Sequence, residues 1–311
     1  MTRARRRVLL LLTLGSLLLA AATGCRVMTW NVNGVCAITD YNGGTSAAAC
    51  RESQRSRQSA IRSWARTIAG QGHPQVIGLQ EICNGPGRHD LRDLVARLNR
   101  GGPRYRYYFQ SSHSAADKYR HCGNAILSIH PLRARACRWL ATEAGCVPRN
   151  ASPGAVPPDS CSADCRVAIS AIFDMPTPLG RVPVRVFNAH IAHEATGSRP
   201  PYLEQALKAG NWINSFGDAT IKFVTGDFQG GNFATDLRFQ PLRAAGFSNV
   251  GDADGRTPYT SGRRSAGCPA GPTRKADFVM SRGLRPTRWG APCVPLLASD
   301  HFPLWGNFLI G

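Results

Sequence analysis

The chain has 311 residues and a formal net charge of +19. The apolar run Val8 to Ala22 has 15 residues, short of the roughly 20 that a helix needs to span a bilayer, which argues against a membrane anchor. No repeat and no linker interrupts the chain beyond this run, so a repeat array is excluded and one domain is expected.

Arg3, Arg5, Arg6 and Arg7 precede that run and Thr23-Gly24-Cys25 come after it, the pattern of a secretory leader over residues 1–24. Cleavage after Ala22 would release a soluble protein. The alternative takes Ala22-Thr23-Gly24-Cys25 as a lipoprotein box, with Cys25 lipidated. Release is preferred, because a strand starts at Arg26 with no spacer to hold it off a membrane. Without the four leader arginines the charge of +19 becomes +15, a field that favours polyanions: nucleic acid, or an anionic membrane lipid surface. Of 11 cysteines, ten remain once Cys25 is set aside, which suits five disulfides in an exported protein. Local pairs Cys36–Cys50, Cys83–Cys122 and Cys268–Cys293 are expected, with four cysteines between 137 and 165 stapling their own loop. Cys161 and Cys165 have no second Cys/His pair to match them, so a zinc site is a poor fit.

The main domain, 26–311, begins with a strand from Arg26 to Asn31 and a turn at Asn33-Gly34. A helix over Arg51 to Ala69 places Ile61, Trp64, Ala65 and Ile68 on one face. The second strand, Val76 to Glu81, delivers a carboxylate at its end. Next come a helix from Asp90 to Asn99, a tyrosine-rich strand from Tyr105 to Gln110 and a strand from Gly123 to Ser128. Cys137 to Cys165 carries four prolines and no apolar period, and reads as a disulfide-held insertion. Arg166 to Phe173 and Val182 to Asn188 read as a hairpin, the second strand running on to His190. Tyr202 to Phe216 is an amphipathic helix. The apolar run at Ile221, Phe223 and Val224 stops at Gly226 and delivers Asp227. A short helix lies within Leu237 to Phe247, a strand over Lys275 to Ser281 carries Asp277, and Leu304 to Ile310 closes the fold. Strands alternating with helices indicate an α/β protein, and the hairpin indicates mixed sheets.

Asn31, Glu81, His190, Asp227, Asp277, Asp300 and His301 all lie beside these apolar runs. Clustered carboxylates repel one another unless a proton or cation intervenes. Their hard oxygens suit Mg²⁺ or Mn²⁺ rather than Zn²⁺. Two histidines beside them provide proton transfer near neutral pH. Metal, histidines and a basic surface together point to hydrolysis of a phosphate ester.

The segments TWNVNG, IGLQEIC, GNAILS, FNAHI, TGDFQ, KADFVMS and SDHFPL, in this order, resemble the endonuclease/exonuclease/phosphatase superfamily, which includes deoxyribonuclease I, apurinic endonucleases, neutral sphingomyelinases and inositol-polyphosphate phosphatases. The resemblance runs from Arg26 to Ile310. It implies a deoxyribonuclease I-like four-layer α/β sandwich, two packed mixed β-sheets flanked by helices. It also implies roles. Glu81 holds the divalent metal, with Asn31 beside it and Asp300 at the metal or aligning its neighbour. His190 binds the phosphate and protonates the leaving oxygen. Asp227 orients or deprotonates the attacking water. His301 contacts the phosphate or acts as base, while Asp277 holds its imidazole in one tautomer. One position departs from the pattern: Gln229 stands where the family has Asn, carrying the same substrate-binding amide on a longer stem.

Asn188 and His193 read as supporting or surface residues. Asn124 reads as a turn residue or a phosphate contact. Tyr105, Tyr107 and Tyr108 read as packing residues before base-stacking ones. The leading expectation is a secreted, monomeric, metal-dependent endonuclease acting on DNA or RNA. The alternatives are a sphingomyelinase- or phospholipase C-like phosphodiesterase, and a nucleic-acid-binding member of the same fold weakened at Gln229.

Overall fold

In the computed structural model, residues 23–32, 47–85, 89–111, 122–140, 166–191, 201–252, 259–261, 275–294, 299 and 301–310 are described. The strands are β1 (Thr23–Asn31), β2 (Val76–Cys83), β3 (Arg106–Ser111), β4 (Cys122–Ser128), β5 (Leu132–Trp139), β6 (Val167–Thr177), β7 (Gly180–His190), β8 (Ile221–Asp227), β9 (Phe247–Asn249), β10 (Asp277–Arg282), β11 (Pro286–Gly290) and β12 (Leu304–Ile310). The helices are α1 (Ala47–Gly70), α2 (Asp90–Gly101), α3 (Pro201–Asn214) and α4 (Gln240–Ala244), the last preceded by a 3₁₀ turn at Leu237–Phe239.

The strands form two six-stranded sheets, ordered β11-β12-β1-β2-β4-β3 and β5-β6-β7-β8-β10-β9. Each has one parallel pair at its centre, β1 with β2 and β7 with β8, among antiparallel neighbours. The sheets are therefore mixed, as the sequence indicates.

Side-chain alternation builds the layers. In β1, Val27 faces the other sheet while Met28 and Trp30 face the helices. Ile61, Trp64 and Ile68 of α1, spaced at helical period, pack with Leu91, Leu94 and Leu98 of α2 over the outside of the first sheet. On the far side, Ala206, Ala209 and Ile213 of α3 and Leu242 of α4 cover Phe187, Val224 and Phe278. Between the sheets lie Val27, Val76, Ile126 and Phe308 against Ile169, Val186, Phe223 and Val279. Burying each such side chain stabilises the fold by about 1.5–3 kcal/mol relative to exposure. The result is the four-layer sandwich expected.

A polar seam crosses the central layer near one end of the sheets. Asn188 of β7 donates from Nδ2 to the carbonyls of Leu79 (2.8 Å) and Ala125 (2.9 Å) in the opposite sheet. Its Oδ1 accepts from Gln80 Nε2 (2.6 Å) and from the Thr225 hydroxyl (3.2 Å). Gly78 allows this approach, because a Cβ there would collide with the Thr225 hydroxyl. Asn188 is thus a bridge between the sheets rather than a surface residue. Asn124, read as a turn residue or phosphate contact, instead donates to the Val167 carbonyl (2.6 Å), joining β4 to β6. Tyr105 is buried, with its hydroxyl on the Pro74 carbonyl (2.8 Å), and Tyr108 lies in the central layer, so packing is their role.

Several boundaries move. β1 begins at Thr23 rather than Arg26, and Cys25 is a free thiol in the central layer, its burial pushing its pKa up to about 12. Cys137 belongs to β5 rather than to an insertion, and residues 141–165 lie outside the described set. β5, β9 and β11 are short or arginine-rich edge-side strands without a clean apolar alternation, which is why the sequence does not announce them. Cys83 and Cys122 form the expected disulfide. Cys137 and Cys293 are also in disulfides, while Cys36, Cys268 and His193 lie outside the described residues.

Candidate active site

Three neighbouring strands deliver three site residues in register. His190 at the end of β7 pairs with Asp227 at the end of β8, which pairs with Asp277 at the start of β10. Directly paired residues share a face, and Val186, Phe223 and Val279 put that face toward the other sheet. Asn31 closes the row from β1 in that sheet. Its amide donates to Asp227 Oδ2 (3.0 Å) and to Glu81 Oε1 (3.2 Å). The site therefore sits in the mouth between the two sheets, where central strands end.

Asp227 is fully buried at its centre. Oδ1 accepts from the Gln229 backbone N–H (2.9 Å) and Oδ2 from the Gln229 side-chain amide (3.0 Å). The same Oδ2 lies 3.7 Å from Nε2 of both His190 and His301. Burial, helped by the nearby Asp277 charge and opposed by His301, the Asn31 amide and the Gln229 backbone N–H, raises its pKa to about 6.

His301 Nδ1 meets Asp277 Oδ2 at 2.7 Å, which turns Nε2 toward Asp227. The Asp277 backbone N–H donates to the Thr260 hydroxyl (2.9 Å), and Ser261 forms a β-bridge with His301. Ser299 and His301 are tied to β1: the Ser299 hydroxyl donates to the Asn31 carbonyl (2.6 Å), His301 N–H to Ser299 Oγ (2.9 Å), and Trp30 Nε1 to the His301 carbonyl (3.0 Å).

On the other flank, His190 Nε2 is 3.8 Å from Glu81 Oε1. Arg166, just before β6, places Nη1 within 2.8 Å of His190 Nδ1 and 3.1 Å of Nε2. Burial, helped by the Asp227 charge, raises the Glu81 pKa, against the opposing Arg166 charge, Asn31 hydrogen bond and His301 charge. Arg166 is the site residue that sequence reasoning missed. Its only signal is position, two residues before Ala168, which pairs with the Ala189 that precedes His190.

Six of the sequence-predicted residues, Asn31, Glu81, His190, Asp227, Asp277 and His301, thus converge, with Gln229 beside them. Asp300 lies outside the described residues. The donor set fits a divalent cation. Glu81 and Asp227 share one amide donor, and burial pushes both toward the neutral form, a cost that a bound cation would offset. A second grouping, Asp227, Asp277 and His301, brings its ligand atoms within 4.8 Å of one another. The two differ in exposure and occupancy: the Glu81 carboxylate is partly open to solvent, whereas Asp277 is buried, with Oδ2 engaged by His301 and Oδ1 without a hydrogen-bond partner among the described residues.

A mouth between two sheets, holding carboxylates, a carboxylate-bound imidazole and a cation-ready edge, defines a phosphate-ester hydrolase type of site. The chain belongs to the Endonuclease/Exonuclease/phosphatase family, whose sequence profile matches residues 28–301. Solved structures agree on the fold. A family member from Bacteroides vulgatus superposes with TM-score 0.63 at 18% identity, covering 92% of this chain and 98% of that one. A mannosyl-6-phosphatase of Bacteroides thetaiotaomicron gives 0.59 at 13% identity, covering 92% and 100%. A truncated Caenorhabditis elegans TDP2 gives 0.55 at 16%, covering 92% and 98%. No curated protein matches the sequence significantly.

Proposed function

We propose that the protein is a secreted, divalent-metal-dependent phosphodiesterase that hydrolyses nucleic acid. The observation that carries the chemistry is the in-register row His190–Asp227–Asp277, closed by Asn31 and by His301. Mg²⁺ or Mn²⁺, held by Glu81 beside Asn31, would supply positive charge to a phosphate oxygen. Asp227, ionised above its raised pKa, takes a proton from the attacking water or aims it at phosphorus. Asp277 keeps the His301 proton on Nδ1, so Nε2 faces the reacting group. His190 donates to the leaving oxygen, and Arg166 beside it offsets charge developing on the phosphate.

The net charge of +15 that remains without the four leader arginines supports a polyanionic substrate. The disulfides and the leader-like start support export. Cys25 is fully buried between the sheets, so a lipid there would have to leave the core; release is the better reading.

The test is incubation of the purified protein with plasmid DNA, RNA and phospholipid vesicles, with Mg²⁺ or Mn²⁺ and with EDTA. Nucleic-acid cleavage that EDTA abolishes and salt weakens steeply is expected. Headgroup release from vesicles would favour the lipid reading, and binding without turnover a weakened family member. Absence of nucleic-acid cleavage across metals and salts would overturn the proposal.

A further inference from the structure

Glu81 does not reach the site by ordinary strand geometry. Leu79 and Ile82 both face the α1–α2 side, although residues three apart in a regular strand face opposite ways. The β2–β4 register explains this. Leu79 pairs with Ala125 and Ile82 with Gly123, so Gln80 and Glu81 together oppose Asn124. This is a bulge, and Glu81 carries its left-handed backbone (φ 55°), a strained conformation for a non-glycine residue. Such strain persists only where the surroundings over-determine it.

One side of the bulge is held well. The Gln80 carbonyl accepts from Val32 N–H (3.1 Å), and its side chain bonds Thr29 and Asn188. The other side has only two more residue pairs before β2 ends, Ile82–Gly123 and Cys83–Cys122. The second is the disulfide, and Cys83 Sγ lies 4.0 Å from the Glu81 carbonyl.

We propose that the Cys83–Cys122 disulfide is a positioning element for the divalent-cation site, clamping the bulge that turns Glu81 into the mouth. This rests on Glu81 being a metal ligand. A thiol reductant would break the S–S bond, the two sulfurs taking up two electrons and two protons while the reductant becomes a disulfide. The bulge would then relax and the cation would bind more weakly. The metal site is complete only in an oxidising compartment.

The experiment measures Mn²⁺ binding without substrate, by electron paramagnetic resonance of the free ion, for the wild type, C83A/C122A, E81Q and the triple variant. Weakening of about ten-fold is expected for C83A/C122A, the scale for a group that supports a ligand. In the E81Q background the cysteine changes should cost nothing further, because their effect passes through Glu81. Unchanged affinity in C83A/C122A, or the same loss with and without Glu81, would overturn the proposal and leave the disulfide a general brace. If E81Q binds Mn²⁺ as tightly as the wild type, the reading of Glu81 as ligand falls first and this inference with it. Circular dichroism checks folding, and C83V/C122V, which refills the space of the sulfurs, repeats the measurement if the alanine pair does not fold.

Discussion

The imidazole of His301 is locked to Asp277 by a 2.7 Å contact at Nδ1, with both groups buried. A carboxylate can only accept there, so the proton sits on Nδ1 and Nε2 is left for chemistry. Asp277→Asn keeps the shape but can present an N–H to Nδ1 and invert the tautomer. Turnover should fall by about 10² to 10⁴, with KM changed far less and the fold intact. Steady-state kinetics on an oligonucleotide substrate, with circular dichroism alongside, checks this.

Asp227 predicts opposite pH trends for activity and stability. Its carboxylate must be ionised to handle water, so kcat/KM should fall as pH drops through about 6. For stability, the folded pKa lies above the ordinary value of 3.8, so the fold prefers the neutral acid. That contribution is full below 3.8 and lost as pH rises through about 6, amounting to about 1–3 kcal/mol. The difference in unfolding free energy between wild type and Asp227→Asn, followed from about pH 3.5 to about pH 7.5 without metal, should carry this slope.

Gln229 has left-handed backbone (φ 57°) and curls its amide back onto Asp227 Oδ2 at 3.0 Å. Asn populates that backbone region more readily than Gln. Gln229→Asn also shortens the stem and frees Asp227 of one donor, which raises the carboxylate pKa. Turnover should rise about two- to ten-fold, on the scale of a modest gain in proton transfer, and the acid limb should move upward. A pH–rate profile of the variant tests both expectations.

Asn188→Ala should destabilise the protein by about 2–4 kcal/mol, because the Leu79 and Ala125 carbonyls lose their donor in a buried layer. Urea titration measures the loss. The same seam carries Gln80, so cation affinity should fall as well.

Cys25, a free thiol in the central layer, reports on the core. Burial holds its pKa at about 12 against an ordinary value of 9.0, so the fold prefers the thiol. Its contribution is full below 9.0 and lost as pH rises toward 12, about 2 kcal/mol by about pH 10.5. Cys25→Ala should flatten this part of the alkaline stability curve, and the native thiol should resist alkylation.

Much of the frame is legible in the chain. Trp64 and Ile68 at helical spacing, and Val27 and Met28 alternating in β1, announce their layers through local pattern alone. The site residues are legible too, since each lies beside an apolar run. What is not legible is Arg166, which no local pattern distinguishes from the chain's many other arginines. The part of Asn188 is also hidden, because its partners Leu79 and Ala125 are 109 and 63 residues away.

The sequence by itself determined the class of fold, the residues available for chemistry and their order, because periodicity and the ends of strands are local properties. Only the tertiary structure decided that His190, Asp227 and Asp277 share one row, that Asn31 bridges two carboxylates, and that a bulge beside a disulfide turns Glu81 inward. Register and sheet packing join Asn31 to Asp227 across 196 positions, and no window of sequence contains both partners of such a contact.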